Sequence, residues 1–308
     1  SIYDPCCGTG GMLTVGKGWI RENVSKDVEV NMFGQELNPQ TYSICKSDFL
    51  ITNEQPENIK LGSTLSKDGY KDTNRKFDYM ICNPPYGVSW KKDEKHVRNE
   101  SNESDGRFSI GTPRITDGQL LFLQHMISKM EPNGSRIGVV FNGSPMFTGD
   151  SGSGESEIRK WIIENDWLET IVQIPDSMFF NTGITTYLWI VTNKKSSRRK
   201  GKIQLIDGSH FYTTMKKSLG NKRKFFNNTQ RDKILQTYIR FEENEFSKIF
   251  DNEFFGYTKV TVEQPKVENG KVVRDKKYNL KPDTKLRDHE RIPLLEDIEQ
   301  YFSQSHQK

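Results

Sequence analysis

The chain has 308 residues, enough for one large α/β domain with an extension or for two modest domains. Its 33% hydrophobic and 28% charged residues, with a mean hydropathy of −0.76, predict long solvated loops, and no apolar run approaches the ~20 residues of a membrane span. A net charge of +4 permits a nucleic-acid partner without demanding one, and four cysteines (Cys6, Cys7, Cys45, Cys82) without C-x-x-C spacing argue against zinc ligation or a disulfide framework. The expectation is a cytoplasmic protein with no membrane partner and no signal segment before Ser1.

In chain order, only Ser1-Ile2-Tyr3 precede a glycine turn at Asp4-Pro5-Cys6-Cys7-Gly8-Thr9-Gly10-Gly11. A parallel strand before such a turn usually runs about five or six residues, so the chain is expected to begin inside a longer polypeptide. Residues 10–23 read as a helix, 29–37 as a strand, and 39–52 as a helix opened by Asn38-Pro39. Strands follow at 58–61 and 77–82, then a helix capped by Asp117 with Leu120, Leu121, Leu123, Met126, Ile127 and Met130 at helical spacing. Residues 136–141 form a strand, 155–165 a helix, 169–174 and 185–192 two further strands with no clear helix between them. The alternation predicts an α/β fold: a doubly wound, mostly parallel, Rossmann-like sheet with an antiparallel edge strand. Residues 87–116 show no period and read as a long polar loop, functional or disordered. Beyond about His210 the text turns basic and irregular, with one helix near 230–240. The expected division is a domain at 1–212 and an irregular C-terminal extension at 213–308.

Gly8 and Gly10 allow close backbone approach to a ligand around Thr9, and the helix that follows aims its N-terminus there. Leu13 occupies the place of the third glycine in the dinucleotide pattern G-x-G-x-x-G. Glu36, ending the second strand, can accept hydrogen bonds from both hydroxyls of a ribose. Leu37 would be an apolar platform for adenine, and Asp4 could face an ammonium group. S-adenosylmethionine offers ammonium, carboxylate and ribose together; NAD offers no ammonium.

The strand at 77–82 runs into Asn83-Pro84-Pro85-Tyr86. The Asn83 side-chain oxygen and the Pro84 carbonyl can each accept one N–H of a planar amino group. That pulls its nitrogen toward tetrahedral geometry and frees the lone pair to attack a sulfonium methyl. Proline fixes the turn, and Tyr86 would stack on the base, a contact worth ~1–3 kcal/mol. A base in duplex DNA must first be flipped out, and Trp90, Lys91, Lys92, Arg98, Arg107 and Phe108 of the 87–116 loop could line its path.

These motifs resemble the modification (methyltransferase) subunits of type I restriction–modification systems, which are N6-adenine DNA methyltransferases. The likeness covers most of the chain: D-P-C-C-G-T-G-G at 4–11, G-Q-E-L-N-P at 34–39, N-P-P-Y at 83–86, G-E-S-E-I-R at 154–159 and P-D-S-M-F-F-N-T-G-I-T-T at 175–186. Phe255-Gly256-Tyr257 and Arg291-Ile292-Pro293-Leu294 resemble this subunit type in particular. The resemblance implies a site-specific DNA methyltransferase (adenine-specific) using S-adenosyl-L-methionine. Its partners would be double-stranded DNA, a specificity subunit, a second modification subunit and a restriction subunit. Glu36 would hold the ribose, and Asn83, Pro84, Pro85 and Tyr86 the target base, with Phe179 or Phe180 helping to pack it. Ser63 stands where the family has an acid for the cofactor's adenine. Helical regions are implied before residue 1 and after 308. Other readings are a protein glutamine-N5 methyltransferase, since an amide nitrogen is also a planar NH2, and a non-catalytic scaffold of the same fold.

Overall fold

A computed structural model of the chain describes residues 1–305, with side chains through 303. Strands β1 (Ile2–Asp4), β2 (Met32–Glu36), β3 (Ile59–Leu61), β4 (Tyr79–Cys82) and β5 (Arg136–Phe141) are parallel. They are followed by β6 (Leu168–Ile174), β7 (Thr186–Thr192), β8 (Lys202–Asp207), the hairpin β9 (Thr213–Leu219) and β10 (Lys222–Phe225), and β11 (Ser247–Asp251). Among the described residues, nine strands form one sheet in the order β11-β8-β6-β7-β5-β4-β1-β2-β3. Helices α1 (Gly11–Asn23), α2 (Pro39–Ile51), α3 (Glu94–Ser101), α4 (Gln119–Ser128), α5 (Ser144–Phe147), α6 (Gly154–Glu164) and α7 (Asn228–Arg240) connect them.

Local chemistry fixes several ends. Asn38 accepts from the amides of Gln40 (2.9 Å) and Thr41 (3.2 Å), with Pro39 at the first helical position of α2. Gly10 precedes α1 at φ +83°, and a Cβ there would lie 2.9 Å from Cys45 Sγ, so α2 could not pack this close against a larger residue. Leu13, Cys45, Phe49 and Ile59 are buried against β1 and β2 in one apolar cluster. In β1, Tyr3 stacks on Phe77 at 4.3 Å, and its hydroxyl meets His125 Nε2 at 2.9 Å.

The doubly wound, mostly parallel sheet with antiparallel pairing is as expected, and its details add to the sequence reading. The antiparallel strand is β7, pairing with β5 on one side and β6 on the other, and the sheet continues beyond it through β8 and β11. Residues 87–116 are no structureless loop. They contain α3, and Trp90, Val97 and Phe108 are buried together with Leu65 and Leu121. The chain divides into two compact units after Phe250, not after 212. The later boundary follows from β11, which closes the edge of β8, and from α7, whose Tyr238 hydroxyl donates to buried Glu169 at 2.6 Å. From Asp251 onward, β12 (Tyr257–Val262) and β15 (Asp288–Pro293) pair antiparallel around a small hairpin of β13 (Val267–Glu268) and β14 (Lys271–Val272), before α8 (Ile298–Ser305). Among the described residues no helix is long and apolar enough to cross a membrane.

Candidate active site

Strands step one way from β1 to β2 and β3, and the other way from β4 to β5. The crevice at such a reversal, outside the carboxyl ends of β1 and β4, is where open α/β sheets bind ligands. Asp4 ends β1, and Asn83 follows the last residue of β4. The pairing Tyr3↔Met80 brings the turn after Asp4 beside Cys82, whose Sγ lies 3.2 Å from Cys6 Sγ.

On one side of the crevice the glycine turn is held by its neighbours. Gly10 N donates to Cys7 O at 2.8 Å and Cys7 N to Gln35 O at 2.9 Å. Glu36 accepts from Gly8 N (2.9 Å) through one oxygen and from Asn38 N (2.7 Å) through the other, joining the turn to the start of α2. Leu37 is 66% exposed beside it, and Thr9 is exposed. Ser63 is half-buried just past β3, where Gly62 N donates to Glu36 O at 2.9 Å. Asp4 is buried, accepts from Cys6 N (2.9 Å), and has no ion-pair partner among the described residues. Burial raises its pKa to about 7, opposed by hydrogen bonding from the Cys6 backbone and side chain and assisted by the charge of Glu36.

On the other side, the Asn83 side chain is exposed, Pro84 buried, Pro85 exposed and Tyr86 half-buried. The Tyr86 hydroxyl donates to Asn83 Oδ1 at 2.5 Å, and burial pushes the phenol's pKa up, so it stays a donor at neutral pH. Thus Asp4, Gly8, Gly10, Glu36, Asn83 and Tyr86 gather at one edge.

Phe179 and Phe180 belong to a different loop. They follow β6, three strand positions from β4, about 14 Å at ~4.8 Å per strand. Their loop is tied to the β9–β10 hairpin, with Asn221 N on Phe180 O at 2.9 Å. Trp90 and Phe108 are buried anchors and cannot line a DNA path; Arg107 is bound to Glu100 (2.6 Å), Thr64 O (2.8 Å) and His125 Nδ1 (2.9 Å). Arg98 pairs with Glu94 at 2.7 Å, while Lys91 and Lys92 are exposed. Residue spacing missed two contacts: Thr64 Oγ on Pro5 O (2.5 Å), and the Cys6–Cys82 pair. The parallel pairing of β1 with β4, once assumed, would have pointed to the second.

The model of the N-6 DNA methylase family matches residues 1–290. The chain belongs to that family. The N-6 DNA methylase relatives include the methylase subunit of the type I restriction enzyme MjaIX of Methanocaldococcus jannaschii, 26% identical over 90% of this chain and 48% of its own length. The HindI methylase subunit of Haemophilus influenzae is 31% identical over 67% of this chain and 44% of its own. The chain thus spans about half the length of the curated relatives it matches. Among solved structures, a type I restriction–modification methyltransferase subunit from Streptococcus thermophilus superposes with a TM-score of 0.68 at 26% identity, covering 82% of this chain and 50% of that one. A protein described as a class I S-adenosylmethionine-dependent methyltransferase, from Listeria monocytogenes, shares the fold with a TM-score of 0.53 at 16% identity, over 77% of this chain and 62% of that one.

Proposed function

We propose that this chain is the catalytic region of a site-specific, adenine-N6 DNA methyltransferase subunit of a type I restriction–modification system. The supporting observation is an exposed Asn83 carboxamide on the same sheet edge as a buried Asp4 carboxyl that has no ion-pair partner among the described residues. The residues fit S-adenosylmethionine: Asp4 offers negative charge to an ammonium group, and Gly8, with open space where a Cβ would stand, allows close backbone approach beside Thr9. Glu36 keeps lone pairs for ribose hydroxyls beyond the two amide bonds it accepts. Exposed Leu37 gives adenine an apolar surface, and the Ser63 hydroxyl can meet its amino group. This cofactor, when bound, supplies an electrophilic methyl group on a positively charged sulfur.

Asn83 Oδ1 and the Pro84 carbonyl each accept one N–H of the target amino group, localising the nitrogen lone pair toward the methyl. The Tyr86 hydroxyl occupies one lone pair of Oδ1 and so orients the carboxamide, leaving the second lone pair for substrate. Pro85 rigidifies the turn, and the Tyr86 ring gives a flipped base a stacking face. For Phe179 or Phe180 to pack that base, their loop would have to reach across β7 and β5.

The wider proposal is that a separate specificity subunit reads the duplex sequence, with a second modification subunit and a restriction subunit in the full assembly. The test is to copurify the full-length protein with its specificity subunit, supply labelled methyl donor and DNA, and identify the modified base. The expected product is N6-methyladenine; label on a protein glutamine, or on no acceptor, overturns the reading.

A further inference from the structure

We infer that Asp4, Cys6 and Cys82 form a site for a thiophilic divalent cation of the zinc type, placed so that the metal displaces a cationic ligand from the crevice. One carboxylate oxygen of Asp4 and the two sulfur atoms lie within 4.8 Å of one another. Tetrahedral zinc with Zn–S bonds of ~2.3 Å spaces its donors by about 3.8 Å. The sulfurs stand 3.2 Å apart, so the pair must open by only about half an ångström. Cys82 is fixed in the sheet, whereas Cys6 is half-buried in the turn and can give way.

Charge favours the same occupant. Asp4 is buried with no ion-pair partner among the described residues, and Glu36 adds a second negative charge nearby. Binding replaces two S–H bonds with two metal–sulfur bonds and releases both protons to solvent. The resulting set, two thiolates and one carboxylate, surrounds a divalent ion and leaves its fourth position open, as in metal sites with three protein ligands. No single stretch of sequence carries these ligands, because they converge only through the pairing of β1 with β4.

The metal site stands on geometry; its effect on catalysis rests on the function proposed above. The reduced, metal-free full-length protein is titrated with cadmium chloride and its thiolate-to-metal absorption followed in the ultraviolet. Zinc affinity is measured in parallel by calorimetry. One cadmium per chain is expected, with the band lost and zinc binding at least tenfold weaker (~1.4 kcal/mol) in Cys6→Ala and in Cys82→Ala, but unchanged in Cys45→Ala. Cys6→Ala guards against misfolding of the strand variant. A band that survives both substitutions, or depends on Cys45, overturns the site. In methylation assays, zinc should raise the apparent KM for S-adenosylmethionine without raising that for DNA, with reversal by chelator; an effect on DNA alone overturns the competition. If the metal-free enzyme methylates nothing, the proposed function fails, while the cadmium band still decides the metal site.

Discussion

A carboxyl group buried without a cation resists ionisation, and Asp4 illustrates what that resistance is for. Its folded-state pKa of about 7 lies above the ordinary 3.8, so its contribution to stability is present below about pH 4 and is lost as pH rises through about 7. At 1.36 kcal/mol per pH unit the penalty near pH 8 is on the order of 4 kcal/mol. Asp4→Asn should therefore raise stability to chemical denaturation near pH 8 far more than near pH 4, while weakening cofactor binding. Equal effects at both pH values would show that Asp4 carries no such penalty. Across the crevice, Asn83→Ala should cut turnover by orders of magnitude and spare cofactor affinity, measured by steady-state kinetics alongside calorimetry. Tyr86→Phe keeps the ring and removes the bond to Asn83, worth ~1 kcal/mol, so kcat should fall about fivefold. Tyr86→Ala should additionally raise the apparent KM for DNA by about tenfold or more through lost stacking.

Among the elements, residues 87–116 are held by isolated anchors packed with Leu65 and Leu121. Phe108→Ala should destabilise by about 3–5 kcal/mol in urea unfolding, because the ring is fully buried. His125 sits buried between Tyr3 and Arg107, and burial with the Arg107 charge holds its pKa well below 6.5. The unfolded chain binds that proton first, so stability falls as pH drops below about 6.5, and His125→Gln should blunt the fall. The burial of this segment was illegible in the sequence because Trp90, Val97, Phe108 and Ile115 stand two or three turns apart with no apolar residue at the i+3 or i+4 positions that follow each of the first three, and α3 buries only Val97. By contrast, the capping of α2 by Asn38-Pro39 and the strand–turn pattern at Asn83 depend on neighbours in sequence, and both were readable. The contact of Cys6 with Cys82 needs the pairing of two strands, and the bond from Tyr86 to Asn83 needs particular rotamers; no spacing encodes either.

At the scale of the whole molecule, the turn to basic text after His210 disguised a continuation of the domain. The hairpin β9–β10 is largely exposed, so its alternation is weak, and β11 is a short strand reached only after α7. Gln204 in β8 is fully buried, and its amide nitrogen donates to Thr237 O (3.1 Å) and Ser247 Oγ (2.9 Å). Both acceptors lie beyond 212. A protein ended at residue 212 would leave that amide nitrogen without either acceptor and the outer rim of β8 bare. Bare rims recruit strands from other molecules. Such a truncation should aggregate on expression, whereas one ended after Asp251 should elute as a single species by size-exclusion chromatography.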